Sequence, residues 1–184
     1  HNTNPVGADT ELQFCAALVD PNGNVLAEPG INRINRNTQG WSAPPFSDTY
    51  VDATIKPQSI WDPTDYVNVW VMSLGSGLLG YAQFPNMSGV GGLPSDNGPA
   101  ETDGVVVLYS SVGSSTVPFP GASPYDLGRT LTHELGHFFG LLHTFQGGCG
   151  VNNDFCGDTP KVASPTFGCP AGRTTCSGSV AMIE

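Results

Sequence analysis

Four apolar segments of the chain have the length and composition of β-strands. They are residues 11–19, 66–74, 78–84 and 104–110, and the third ends at Pro85. Residues 66–74 and 104–110 are apolar almost throughout, which predicts strands buried on both faces, with residues 66–74 at the centre of a sheet. The β-branched residues at 51–55 and the run 57–61 are weaker candidates for extended segments.

One segment carries the signals of an α-helix. Ser123 followed by Pro124 has the order of an N-cap and a first helical residue. Residues 125–139 continue without a proline, and Gly140 is suited to the left-handed conformation that ends helices. The pattern therefore predicts a helix that starts after Ser123 and ends at Gly140.

Composition narrows the class of protein. The 184 residues include 16 acidic and 6 basic side chains, for a formal net charge of −10, so nucleic-acid binding is not expected. No apolar run approaches the about 18 residues of a membrane span, so no membrane partner is expected either. Apolar residues make up 39% of the chain, which is enough for a hydrophobic core and predicts a folded protein rather than a disordered one. The 24 Gly and 16 Pro predict many loops. We expect the protein to be a monomer.

The chain begins with His1 instead of Met, which indicates a processed or excised polypeptide.

The predicted helix carries a motif with metal-ligand spacing. His133 and His137 are four residues apart and so lie on the same helical face, where both rings can reach one cation. Glu134 is rotated by about 100° from His133 and would stand beside the metal rather than on it. Gly140 would end the helix and let His143 return as a third ligand.

Three neutral nitrogen ligands with an open fourth position are typical of catalytic zinc. We therefore predict one zinc ion on His133, His137 and His143, with Glu134 as the general base for a metal-activated water that hydrolyses peptide bonds. The alternatives are three ordinary histidines on an amphipathic helix, a non-catalytic zinc-containing binding module or inactive peptidase fragment, and a zinc hydrolase acting on a non-peptide amide or ester.

The motif H-E-x-x-H-x-x-G-x-x-H resembles that of the metzincin zinc endopeptidases. Further segments narrow the resemblance to the pappalysin-like family, to which ulilysin belongs. These segments are residues 14–17, 20–24, 77–85, 103–106, 143–149, 157–160 and 167–170.

The resemblance implies an α+β, metzincin-like fold. A twisted mixed β-sheet and the active-site helix would form an upper lobe (residues 1–143), above an irregular, disulfide-stabilised and incomplete lower lobe (residues 144–184). A peptide or protein substrate would pair with an edge strand at Leu79, Gly80, Tyr81 and Ala82, where small residues let a backbone approach. The alternative is an ordinary hairpin strand with Leu79 and Tyr81 in the core.

Two features depart from the family pattern. The methionine turn expected beneath the metal is missing, and although Met182 could serve, we expect the turn to follow Glu184. Residues 1–10 are also too short for the long helix that usually precedes the first strand.

Four of the five cysteines lie within 28 residues, which favours disulfides and a secreted protein. A cysteine zinc site is the alternative, although the spacings match no C-x₂₋₄-C pattern. The resemblance implies a Cys149–Cys176 disulfide, a partner for Cys169 beyond the chain, and no obvious partner for Cys156. Cys15 is expected to be a buried thiol.

A second metal is suggested by a loop rich in oxygen ligands. It contains Asn152, Asn153, Asp154, Asp158 and Thr159. Carboxylate, amide and hydroxyl oxygens suit Ca²⁺, and the family resemblance at Asp158 and Thr159 supports it. The alternative is a solvated Asn/Asp turn.

Overall fold

The computed structural model describes residues 9–86, 89–95, 97–168 and 175–177. The chain separates into two units, His1–Trp41 and Ser42–Glu184. The boundary predicted between the upper and lower lobes, at residues 143 and 144, lies inside the second unit and stays a prediction. Within the described ranges, no helix is long and apolar enough to cross a membrane.

The described part of the first unit, residues 9–41, consists mostly of turns and irregular chain. Isolated bridges join Val19 to Val25 and Glu28 to Ile31, and helix α1 spans Arg36–Gln39. The strand predicted for residues 11–19 is wrong apart from the bridge at Val19, because residues 11–17 make no ladder. Cys15 is therefore exposed rather than buried.

The second unit begins with a composite helix at residues 48–59. It comprises α2 (Asp48–Tyr50), a π-helical stretch (Val51–Ile55) and α3 (Lys56–Ser59), and the Ser47 side chain caps its first turn. The extended segments predicted for residues 51–55 and 57–61 are wrong in this region. Val51, Ile55 and Lys56 lie on one helical face and are buried, so packing outweighs the β-propensity of Val and Ile.

A three-stranded mixed sheet forms the core of this unit. Strand β1 (Val69–Met72) pairs in parallel with β3 (Val105–Leu108), and β2 (Gly80–Ala82) pairs antiparallel with the other side of β3. Val105, Val106 and Val107 are fully buried, whereas Val71 of β1 is 52% exposed. The central strand is thus β3 and not the predicted residues 66–74, because among the described strands β3 is the one paired on both sides.

The sheet and helix α4 (Arg129–Phe138) bring the motif residues together. Helix α4 packs against β2 and β3, while the composite helix contacts the opposite side of β2 through Asp52 and Lys56. The fold is therefore α+β, with a helix on each side of β2. The helix start predicted after Ser123 is wrong, because residues 123–128 form turns and irregular chain and Gly128 occupies the N-cap position.

Candidate metal and catalytic site

The last turn of α4 ends in a Schellman motif. The amide of Leu141 donates to the carbonyl of Gly136 (2.9 Å) and that of Gly140 to the carbonyl of His137 (2.9 Å). Gly140 has φ of 95°, a conformation that glycine adopts without steric cost. The chain therefore turns back immediately after the helix and brings His143 beside His137.

The three histidines converge through their Nε2 atoms. Nε2 of His137 lies 3.1 Å from Nε2 of His133 and 3.1 Å from Nε2 of His143. Four-coordinate zinc with bonds of about 2.0–2.1 Å places its nitrogen ligands roughly 3.3 Å apart, close to this spacing. Among the described residues, these three histidines form the group of His, Cys, Asp or Glu side chains that lie close enough together to hold one metal ion. The residues present thus fit zinc.

Neighbouring groups fix the orientation of the rings. Nδ1 of His137 is 2.7 Å from the Leu141 carbonyl oxygen, so it must donate to that oxygen, and in the neutral ring Nε2 keeps its lone pair. Phe145 stacks on His143 with ring centroids 4.9 Å apart, and Phe84 packs against His137 at 5.2 Å. The Leu141 carbonyl is a backbone group and leaves no signal in the sequence.

Glu134 lies next to the cluster in a buried position. Its side chain is 7% exposed, and burial raises its pKa to about 7. A Cβ atom at Gly80 would lie 2.9 Å from Cγ and 3.1 Å from Oε1 of Glu134. Only glycine therefore lets β2 approach this carboxyl so closely.

One edge of strand β2 is not hydrogen-bonded to any described strand. Hydrogen bonds from Leu108 N to Leu79 O (2.7 Å) and from Gln83 N to Gly104 O (3.1 Å) place residues 79 and 83 in bonded pairs with β3. Because bonded and non-bonded pairs alternate in antiparallel ladders, the backbone groups of Gly80 and Ala82 face away from β3. This is the edge predicted for substrate pairing, and within the described residues no strand is paired with it.

The residues predicted to bind calcium lie in a loop after the histidines. Asn153 and Asp154 are 4% and 5% exposed, so these two are not part of a solvated turn, whereas Asn152 and Asp158 are exposed. The Asn153 Oδ1 atom is buried and has no hydrogen-bond partner.

A disulfide joins Cys149 to Cys176 across this region. Cys156 is a half-buried free thiol whose pKa is raised by burial and by nearby Asp154 and Asp158. Cys169 and Met182 lie outside the described residues.

Comparison with known proteins decides the family. The sequence model of the Peptidase_M43 family, described as pregnancy-associated plasma protein-A, matches residues 49–184. The chain belongs to the M43 peptidase family. The expected pappalysin-like membership is thereby confirmed.

Several fungal proteins similar to this chain are named extracellular metalloproteases. The chain is 45% identical over 112 residues to extracellular metalloprotease 1 of Coccidioides posadasii, covering 61% of this chain and 37% of that protein. It is 43% identical over 110 residues to an extracellular metalloprotease of Colletotrichum graminicola, covering 60% and 36%. The matched part of the chain thus spans little more than a third of the relatives' length.

A solved M43-like fold matches over most of the chain. Mature mirolysin of Tannerella forsythia, solved in complex with a cleaved peptide, superposes with a TM-score of 0.67 at 34% identity, covering 92% of this chain and 60% of mirolysin. The metzincin-like fold expected from the motif is therefore confirmed.

Proposed function

We propose that the protein is a secreted zinc-dependent endopeptidase. The observation that carries the proposal is the convergence of the Nε2 atoms of His133, His137 and His143 beside the buried carboxyl of Glu134. The naming of fungal relatives as extracellular metalloproteases supports both the activity and the secretion. The disulfide supports an oxidising compartment.

His133, His137 and His143 would hold the zinc ion. Bound there, zinc would supply Lewis-acid chemistry, by polarising the scissile carbonyl and lowering the pKa of water. The Leu141 carbonyl would keep His137 in the tautomer that can bind the metal.

Glu134 would act as the general base and then as the general acid. It would accept a proton from the attacking water and return it to the leaving amine, without a covalent intermediate. The buried position of Glu134 beside the histidine cluster supports this role, because it holds the carboxyl close to the place where the water would react.

The substrate would be an extended peptide added to the open edge of β2. The backbone groups of Gly80 and Ala82, which face away from β3, would form the ladder with the incoming chain. The complex of mirolysin with a cleaved peptide supports a peptide substrate. Tyr81 of β2 and Leu79, which directly precedes this strand, would also contribute to the substrate site.

We also propose a calcium ion at the loop after the histidines. Its ligands would be Asp154, Asp158 and Thr159, together with the unpartnered oxygen of Asn153. A hard cation with oxygen ligands would satisfy that buried oxygen.

The Glu134→Ala variant tests the peptidase proposal. We expect the variant to retain one zinc per chain by elemental analysis and to lose cleavage of casein, whereas His137→Ala should lose the zinc as well. Wild-type cleavage should be inhibited by 1,10-phenanthroline and insensitive to serine-protease inhibitors. Undiminished cleavage by Glu134→Ala would refute the role given to this carboxyl. Cleavage of esters without cleavage of peptides would favour the non-peptide hydrolase.

A further inference from the structure

Lys56 is a buried cation on the face of the composite helix that packs against the sheet. Its side chain is 1% exposed, and it lies where the π-helical stretch passes into α3. The Lys56 amide donates to the carbonyl of Val51, five residues earlier, which is the bond of a π-helical turn. Such turns are rare and often lie near functional sites. Here the turn places Lys56 directly after Ile55 on the buried face.

The Lys56 ammonium contacts groups from four segments of the chain. It lies 2.8 Å from Oδ1 of Asp52, one turn earlier, and donates to the Thr102 carbonyl oxygen (3.1 Å) shortly before β3. It also lies 4.6 Å from the ring centre of Tyr81 in β2 and 5.4 Å from that of Trp70 in β1, within the range of cation–π contacts. One side chain thus joins the composite helix to both outer strands of the sheet and to the segment before β3.

Stability alone does not account for a lysine at this position. Removing an ammonium from water is costly, and a buried ion pair is often no more stabilising than apolar side chains of the same volume. Burial accordingly lowers the pKa of Lys56, against the opposing effect of Asp52. What the ammonium adds to an apolar side chain is direction, because its contacts with Asp52, Thr102 and Tyr81 require particular positions of all three groups.

Strand β2 depends on side-chain contacts for its position, because among the described strands it is paired with β3 alone. The Tyr81 hydroxyl donates to Oδ1 of Asp52 (2.9 Å), the same oxygen that Lys56 contacts. The preceding residue, Gly80, lies against Glu134 on the opposite face of the strand. Strand β2 is therefore held between the Lys56–Asp52–Tyr81 contacts on one face and the carboxyl of Glu134 on the other.

We propose that Lys56 is a positioning residue for peptide hydrolysis, which fixes through Tyr81 where β2 lies relative to Glu134 and the histidines. The inference rests on the proposed function, in which the substrate pairs with the open edge of β2. A peptide in that ladder moves with the strand, whereas Glu134 and the three histidines belong to α4 and the turn after it. A shift of β2 would therefore leave the peptide bound but move its scissile bond away from the reacting groups.

Lys56→Met tests this role, because it retains an unbranched side chain and removes the ammonium. On one internally quenched peptide, taken from a casein site that wild-type protein cleaves, we expect kcat to fall about tenfold and KM to change by less than about twofold. Zinc content should stay at one per chain. In a Tyr81→Leu background, the same substitution should lower kcat by less than about twofold, because the ring that transmits the effect is gone.

Amide hydrogen exchange follows the position of β2 without any cleavage. The Gln83 amide donates to the Gly104 carbonyl (3.1 Å) and reports the ladder between β2 and β3. The Val105 amide donates to the Asn68 carbonyl (2.9 Å) and reports the side of β3 that faces β1. In Lys56→Met we expect exchange to become about tenfold faster at Gln83 and to change by less than about twofold at Val105.

Matched variants separate positioning from a general loss of stability. Ile55→Val removes one methyl group from the neighbouring buried side chain and keeps the contacts of Lys56, so it should lower Tm without lowering kcat. Arg33→Met removes an exposed cation from its ion pair with Glu28 and should change neither. Lys56→Gln, which also lacks the ammonium, should reproduce Lys56→Met, so that the test does not depend on the folding of one variant.

The outcomes separate this role from the peptidase function. An unchanged kcat or unchanged exchange at Gln83 in Lys56→Met, or an equal fall in kcat in Ile55→Val, would overturn the positioning role. So would a tenfold effect that persists in the Tyr81→Leu background. In each of these cases, cleavage by the wild type leaves the peptidase function standing. If the wild type cleaves no peptide and Lys56→Met speeds exchange selectively at Gln83, Lys56 still positions β2 and the peptidase function falls.

Discussion

Because Gly80 lies against Glu134, the methyl group added in Gly80→Ala tests the position that the structure assigns to this carboxyl. In Gly80→Ala, the added Cβ would lie 2.8 Å from the Val106 carbonyl oxygen, 2.9 Å from Glu134 Cγ and 3.1 Å from Glu134 Oε1. Ordinary contacts begin near 3.4 Å. The Glu134 side chain or β2 must therefore move by roughly 0.5 Å or more. Because the Val106 oxygen belongs to the backbone of the central strand, it cannot rotate away.

We expect this displacement to reduce turnover more than substrate binding. Misplacing a catalytic group by about 1 Å can cost on the order of 100-fold, so a 10- to 100-fold fall in kcat follows for the smaller shift. KM should change by less than about threefold, because the methyl group points at Glu134 and not at the open edge. The overpacking should lower the free energy of unfolding by about 1–3 kcal/mol.

The assay combines peptide kinetics, zinc content and thermal unfolding. Gly75→Ala is the matched control, because its Cβ would lie 3.5 Å from the Phe46 carbonyl oxygen, an ordinary contact away from Glu134. Zinc content should stay at one per chain in both variants. Wild-type kcat in Gly80→Ala, or an equal loss in Gly75→Ala, would refute the position assigned to Glu134.

Two further predictions concern stability. Asp52→Asn should lower the free energy of unfolding by about 2 kcal/mol, because it leaves the charge of Lys56 buried without its counter-ion, whereas Lys56→Met should stay within about 1 kcal/mol of wild type. Urea unfolding of both variants measures this, and equal losses would contradict it. For the calcium site, EGTA should lower Tm, and added Ca²⁺ should restore it. The fall in Tm on adding EGTA should be smaller in Asp154→Asn. A Tm that EGTA does not change would contradict the proposed calcium site.

The motif on α4 was predictable because helical periodicity is local. Spacing alone places His133 and His137 on one face and Glu134 beside them, and Gly140 signals the turn that returns His143. The start of the helix was not predictable in the same way. Ser123 and Pro124 have the sequence of an N-cap, but they lie in a turn, and the N-cap position of α4 is occupied by Gly128.

Features that depend on distant contacts were missed. The composite helix has β-branched residues that favour strands locally, and it is helical because Val51, Ile55 and Lys56 are buried together. The sequences of β1 and β3 are both apolar and look alike. The position of a strand in the sheet depends on its pairing partners, which apolar content does not reveal. The Lys56–Asp52–Tyr81 contacts join residues up to 29 positions apart and have no local signature.

The end of α4 and the histidine cluster share the same few residues. The Schellman bonds at Gly136 and His137 close the helix, and the Leu141 carbonyl that follows also orients a ring of the cluster. Fraying of that last turn would therefore dismantle the cluster, so an ion held there would resist the fraying by its own binding free energy. Amide hydrogen exchange at Gly140 and Leu141 would then slow in proportion to occupancy, making this short turn a reporter of metal loading.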